Sequence, residues 1–187
     1  MSTPERRARP TASQGFTLIE LIMFIVIVGV GVAGILLAYT VTVQKSSDPL
    51  VRKQLLAVAE ALVAEVQLMP LTYCDPDDAD AATATSTADC TVVEGLGPEG
   101  GETRYSATTP FDNVSDYHGF SMAGIRDITN TPIGGLSGYG ASVSLTQGGL
   151  GLPAADVLQI TVTVTAPGGD LIVLDGYRTR YAPTAVP

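Results

Sequence analysis

Three sets of side chains in this sequence have the chemistry to form a site. Glu20 lies at the edge of a long apolar run, where a carboxylate is costly unless it is neutralised or paired. Cys74 and Cys90 can form a disulfide or contribute to a metal site. His118 lies close to two aspartates and is the only histidine. These residues offer a membrane-embedded charge pair, a crosslink and an acid–base group.

The apolar run beside Glu20 is long enough to cross a membrane. Residues 21–44 carry no charged side chain, and a helix that rises about 1.5 Å per residue spans a hydrocarbon core of about 30 Å with such a run. Arg6, Arg7 and Arg9 precede the run, whereas Lys45 follows it alone. Because cytoplasmic flanks carry the excess of basic residues, we predict a single-pass inner-membrane protein whose N-terminus is cytoplasmic. The remainder would be periplasmic or extracellular.

The two cysteines favour a disulfide over a metal site. A structural zinc site needs further Cys or His ligands, and none lies near Cys74 or Cys90. Both residues follow the predicted span and would therefore lie in an oxidising compartment. A bridge that closes the fifteen intervening residues would stabilise the fold by about 3 kcal/mol.

Clustered aspartates inside this loop raise the alternative of a calcium site, because Ca²⁺ prefers carboxylate ligands. The acids are Asp75, Asp77, Asp78, Asp80 and Asp89. The segment lacks the glycine and the distal glutamate of an EF-hand loop. We therefore favour a solvated acidic loop, and we expect neither a metal nor a cofactor.

His118 has little support as a catalytic residue. No serine or cysteine in a nucleophile motif lies near it, so a triad is not indicated, and we assign it a structural or surface role. The formal net charge of −9 also argues against nucleic-acid binding, which needs clustered Lys and Arg. The sequence predicts a protein that is not an enzyme.

Two helical segments precede the candidate loop. Residues 46–49 interrupt the pattern of the first helix, and Pro49 suits the first turn of a second helix over residues 49–69. Apolar side chains recur along that helix at helical spacing and predict a face packed on a sheet. They are Val51, Leu55, Val58, Leu62, Val66 and Met69, widened by Leu56, Ala59 and Val63.

The C-terminal third carries the clearest strand pattern. We predict strands at residues 139–146, 157–165 and 171–181, the last two joined as an antiparallel hairpin by the turn at 166–170. A further strand is predicted at 103–109, followed by a loop over 111–120. A helix laid on an antiparallel sheet gives an α+β head.

Residues 13–20, Ser-Gln-Gly-Phe-Thr-Leu-Ile-Glu, resemble the type IV prepilin signature. The resemblance implies that a prepilin peptidase cleaves after Gly15 and that the freed amine of Phe16 is methylated. It also implies that Glu20 pairs with that amine, in the same subunit or a neighbouring one, during assembly. The predicted segments are a cleaved basic leader (1–15), a transmembrane helix (16–45) and a pilin-like head (46–187) with helix 49–69, disulfide loop 74–90 and a C-terminal sheet.

Further stretches resemble the MshD-type minor pilins of mannose-sensitive haemagglutinin (MSHA) pili. They are residues 48–54, 73–78, 111–120 and 176–181. The resemblance implies a subunit that takes part in pilus assembly or initiation, with other pilin subunits, the prepilin peptidase and the inner-membrane assembly platform as partners. A pseudopilin of a type II secretion apparatus and an adhesin-like module displayed at a filament tip are the alternatives.

Overall fold

The chain combines one long helix with a small sheet. The computed structural model describes residues 15–184, and for residues 44–48 it describes the backbone alone. Its main elements are helix α1 (Leu18–Leu68) and strands β1 (Ser121–Ala123), β2 (Gly140–Gln147), β3 (Val157–Thr165) and β4 (Leu171–Thr179). Contacts divide the described residues into two units, one that ends at Ser47 and one that begins at Asp48. A long apolar helix followed by an antiparallel sheet is consistent with the predicted α+β, pilin-like fold class.

The predicted helix break at residues 46–49 is wrong, because α1 includes Pro49 and continues to Leu68. A proline inside a helix removes one hydrogen bond and crowds the preceding turn. That loss is local, whereas the residues that follow are mostly good helix formers with a buried apolar face. The helix ends immediately before the Met69–Pro70 pair, close to the predicted end.

The apolar stripe packs as predicted in the C-terminal part of α1. Leu55, Leu62 and Val66 are buried, and Ala59 and Val63 are buried beside them. Val51, Val58 and Met69 pack against this core at its margin. Leu56, predicted to widen the stripe, is exposed instead.

Four strands form one antiparallel sheet in the order β1-β2-β3-β4. In β3 the buried residues alternate, with Ile160, Val162 and Val164 fully enclosed. The predicted hairpin is present, since Val157 to Thr165 pair antiparallel with Thr179 to Leu171. The strands predicted from 139, 157 and 171 are thus confirmed, although β4 ends at Thr179.

The observed sheet differs from the predicted one in two details. Residues 103–109 form turns rather than a strand, because the Ser106 hydroxyl accepts hydrogen bonds from the amides of Thr108 and Thr109 at 3.3 and 3.0 Å. Side-chain to backbone bonds of this kind compete with strand pairing. The short β1, which pairs with β2 through Ser121, Met122 and Ala123, lies just after the predicted loop.

A glycine sets how closely the helix approaches the sheet. Gly176 is buried in β4, and a Cβ there would lie 2.8 Å from Gln67 Nε2 and 3.0 Å from Val63 Cγ1. Gln67 Nε2 also donates a hydrogen bond to the Tyr177 carbonyl at 3.3 Å. Because Gly176 has no side chain, α1 can pack directly against β4.

Candidate functional site

The N-terminal candidate residues surround the start of α1. Gly15 and Phe16 lie just before the helix, and Thr17 caps it: the amide of Glu20 donates to Thr17 Oγ1 at 3.4 Å, and the amide of Leu21 donates to Thr17 O at 3.2 Å. Glu20 is therefore in the first turn, where the helix dipole favours a negative charge. Of the predicted leader, residues 1–15, only Gly15 is among the described residues.

The segment that follows has the length and composition of a membrane span. Leu18–Val43 comprises 26 residues with a mean hydropathy of 3.0, and none of its most apolar window is buried. Its Thr40 and Thr42 hydroxyls each donate at 2.9 Å to a carbonyl one turn earlier, so neither presents an unpaired donor to lipid. This apolar helix fits membrane anchoring.

The predicted crosslink is present in the head. Cys74 and Cys90 form a disulfide, with their Cα atoms 5.3 Å apart. Within the loop, Asp78 and Asp89 accept hydrogen bonds from backbone amides, which hold the pKa of each carboxyl below its usual value. These two acids shape the turns and caps of the loop.

Other carboxylates converge, and they come from separate parts of the chain. Asp75 and Asp77 meet Glu102 and Asp112, and each residue offers an oxygen within 4.8 Å of those of the others. We name these four residues the acidic cluster. A second group, the neighbouring acids, places oxygens of Glu94, Glu99 and Asp116 equally close together.

Burial and mutual repulsion make four of these carboxyls, those of Glu94, Glu102, Asp112 and Asp116, hard to ionise. Burial, assisted by the charges of Asp116 and Asp112, raises the pKa of Glu102 to about 8. Burial is also the main cause that raises the pKa of Asp112 to about 6, of Asp116 to about 7 and of Glu94 to about 9. The region thus concentrates acidic groups in a poorly hydrated place, where their ionised forms are disfavoured.

A separate ion pair joins Arg104, in the segment between the disulfide loop and β1, to Glu65 of α1. Arg104 Nε donates a hydrogen bond to Glu65 Oε1 at 2.6 Å, and Arg104 Nη2 donates one to Glu65 Oε2 at 2.7 Å. The Tyr117 hydroxyl donates to Glu65 Oε1 at 2.8 Å. Burial and the adjacent Glu65 charge raise the pKa of Tyr117. This network is structural, because it joins the loop residues to the helix.

An open apolar groove of about 570 Å³ runs beside this ion pair. Its walls are α1 and the segment that follows β1, with Ala61 and Leu62 on one side and Ile125 and Leu136 on the other. Glu65 and Arg104 contribute to its polar part. The residues that line it include no serine, cysteine or histidine that could form a nucleophile–base pair.

His118 has the structural role expected of it. Its Nδ1 accepts a hydrogen bond from the Leu145 amide at 3.1 Å, which ties the loop to β2. Asp116, its sequence neighbour, is engaged instead by the amides of Asp112 and Asn113 at 2.9 and 2.7 Å. The two side chains therefore serve separate structural purposes.

Comparison with known proteins identifies the N-terminal region alone. Residues 11–36 match the family model of the prokaryotic N-terminal methylation motif. No curated protein and no solved structure matches the chain. The matched motif, which includes Gly15, Phe16 and Glu20, indicates a type IV pilin-like or pseudopilin protein and suggests a structural rather than an enzymatic role.

Proposed function

We propose that this chain is a minor pilin of an MSHA-like type IV pilus, matured by cleavage between Gly15 and Phe16 and methylated on the Phe16 amine. The observation that carries the proposal is the order of features at the N-terminus. The methylation motif at residues 11–36 overlaps the 26-residue apolar helix Leu18–Val43, and Glu20 lies in the first turn of that helix. Together they meet the needs of a subunit stored in the inner membrane before assembly.

Glu20 acts as the assembly contact in this proposal. Its carboxylate pairs with the amine of Phe16, in the same subunit or in a neighbouring one. In hydrocarbon the attraction between opposite charges is much stronger than in water, so this pair helps to fix the axial register of subunits. The stretches that resemble MshD-type pilins support the minor-pilin assignment. Other pilins, the prepilin peptidase and the inner-membrane assembly platform are its proposed partners.

Processing is tested on protein extracted from membranes of cells with an active prepilin peptidase. Intact-mass and N-terminal peptide analysis should recover a chain that begins with a methylated Phe16. Gly15→Leu should block cleavage, because a side chain at this position obstructs extended backbone in the protease cleft, whereas the control Ser13→Ala should be processed normally. Recovery of the uncut wild-type chain alone would refute the maturation step.

Assembly is tested by Glu20→Ala, with Glu60→Ala as the matched control because Glu60 is an exposed acid in the head part of α1. Glu20→Ala should insert and be cleaved, since removing a charge from the span makes insertion easier, but it should be depleted from sheared pili. Equal entry of both variants into sheared pili would exclude the role given to Glu20. Absence of the wild-type chain from sheared pili, with loss of protein secretion in a deletion strain, would favour the type II pseudopilin.

A further inference from the structure

We propose that the acidic cluster of the head is a Ca²⁺ site, with Asp75, Asp77, Glu102 and Asp112 as carboxylate ligands. The four residues come from three parts of the chain that the fold brings together: the start of the disulfide loop, the turn at Glu102 and the segment before Ser115. None of this depends on the filament or on the N-terminal motif. The inference therefore goes beyond the proposed function.

The spacing of the ligand atoms suits Ca²⁺. The four carboxylate oxygens lie within 4.8 Å of one another, and ligands on opposite sides of a Ca²⁺ ion are separated by about 4.8 Å at ordinary Ca–O distances of about 2.4 Å. Oxygens that all lie within this limit are close enough to share one cation. Carbonyl oxygens or water would complete the six to eight ligands that Ca²⁺ takes.

An unpaired buried carboxylate is the second and independent observation. Glu102 is only 8% exposed, and its Oε2 is buried with no hydrogen-bond partner among the residues that the structure describes. The adjacent Asp116 is 1% exposed, and its Oδ1 is likewise buried without a partner. A buried ionised carboxylate without compensation is costly, and a bound cation removes that cost.

No protein cation satisfies these acids within residues 15–184. The ion pairs there join Arg104 to Glu65 and Arg180 to Asp156, and neither involves the acidic cluster. The charges of the nearby Asp116 and Glu99 also act on Glu102. A divalent cation is the simplest source of the missing positive charge, and the surrounding field strengthens its binding.

The scaffold holds the ligands in place before the ion arrives. Asp75 follows the disulfide-bonded Cys74, and its Oδ1 accepts a hydrogen bond from the Asp77 amide at 2.8 Å. The Asp112 amide donates to Asp116 Oδ2 at 2.9 Å. Two ligand-bearing turns are therefore fixed by a covalent bond and by local hydrogen bonds, which lowers the entropic cost of binding.

The donor set also discriminates between metals. Four carboxylates and no described His or Cys thiolate do not suit zinc, which prefers nitrogen and sulfur ligands. Mg²⁺ has shorter ligand distances, about 2.0–2.1 Å, and usually keeps several waters instead of entering an all-protein cage. Ca²⁺ matches the number, charge and spacing of these oxygens.

The test uses the full chain in detergent micelles and measures the unfolding temperature in EDTA, in CaCl₂ and in MgCl₂, each salt at about 5 mM so that a site with a millimolar Kd is occupied. We expect Ca²⁺ to raise the unfolding temperature by several degrees and Mg²⁺ to have a much smaller effect. Calorimetric titration should give a Kd for Ca²⁺ below about 1 mM. Absence of a Ca²⁺ shift overturns the proposal, and an equal Mg²⁺ shift overturns the assignment to calcium.

Charge-neutral variants assign the site. Asp77→Asn should weaken Ca²⁺ binding at least tenfold, whereas Asp80→Asn is the matched control, an exposed aspartate of the same loop outside the acidic cluster. Glu102→Gln should fold, because a neutral amide of nearly the same shape replaces a buried carboxyl that has no protein cation beside it. In EDTA it should unfold at the wild-type temperature or above, yet lose the Ca²⁺ response. A full Ca²⁺ response in Glu102→Gln, or equal losses in Asp77→Asn and Asp80→Asn, would refute the assignment.

Discussion

Replacing Glu65 with glutamine should destabilise the head strongly, because Glu65 neutralises a buried guanidinium. The side chain of Arg104 is 4% exposed and that of Glu65 is 21% exposed. Removing one partner of a buried ion pair typically costs about 3–5 kcal/mol. Since Glu65 keeps some contact with water, we expect the lower end, about 3 kcal/mol. The amide oxygen of the introduced glutamine can still accept from the Tyr117 hydroxyl and from Arg104 Nε, whereas its NH2 group cannot accept from Arg104 Nη2. The loss therefore combines the charge with one hydrogen bond.

The chain offers a matched exposed pair as a control. Arg180 Nη1 lies 3.9 Å from Asp156 Oδ1, and the Asp156 side chain is 46% exposed. A long, solvated pair contributes little, so Asp156→Asn should cost no more than about 0.5 kcal/mol. Both variants remove one carboxylate charge, so the difference between their losses reports on the burial and the hydrogen bonding of the two pairs.

Both losses of stability can be measured by urea unfolding of the full chain in detergent. Near-ultraviolet circular dichroism of the seven tyrosines follows the transition. Each loss appears as a shift of the urea midpoint, while the dependence of the free energy of unfolding on urea stays constant. Arg104→Met combined with Glu65→Gln should cost less than the sum of the single variants, because the two residues act on one interaction. A loss below about 1 kcal/mol for Glu65→Gln, or one equal to that of Asp156→Asn, would refute the reasoning.

The same assay checks three further predictions. Serine at both Cys74 and Cys90 should lower the free energy of unfolding by about 3 kcal/mol, and an unchanged midpoint would contradict that value. Gly176→Ala should cost about 1 kcal/mol, since its Cβ would press on the side chains of α1; a stabilised variant would show that the contact is not tight. Ile160→Ala should cost about 2–5 kcal/mol because the side chain is fully buried, whereas the exposed Leu171→Ala should cost less than about 1 kcal/mol. Equal losses at these two positions would contradict the assigned burial.

The sequence pattern predicted the regular strands correctly, but it did not predict the irregular segments. Alternation in β3 and the turn residues after it predicted the hairpin because period and burial coincide there. The strand predicted at 103–109 failed because a single hydroxyl, that of Ser106, satisfies two amides and no neighbouring strand is needed. The break predicted at Pro49 failed because one lost hydrogen bond weighs less than the packing of the face that follows.

The candidate sites also differ in how far the sequence alone predicts them. Gly15, Phe16 and Glu20 form a contiguous motif and were visible in the sequence, as was the pairing of two cysteines. The sequence reveals the acidic cluster only in part, because its aspartates raise a calcium site within the disulfide loop, whereas the lack of an EF-hand motif favours a solvated loop. Glu102 and Asp112 lie far from that loop in sequence, and tertiary folding alone brings them to it.

The disulfide loop gains little order from apolar packing, which explains why its polar interactions have a large effect. Apart from the half-cystines, its buried apolar side chains are Ala81 and Ala84, in a cluster separate from the main core. The methyl groups of two alanines bury too little apolar area to offset the loss of conformational entropy when some fifteen residues become ordered. Order must therefore come from the crosslink, from amide bonds to aspartates and, in our proposal, from a cation that links the loop to Glu102 and Asp112. The residues that make this region acidic are then the ones that hold it to the rest of the head.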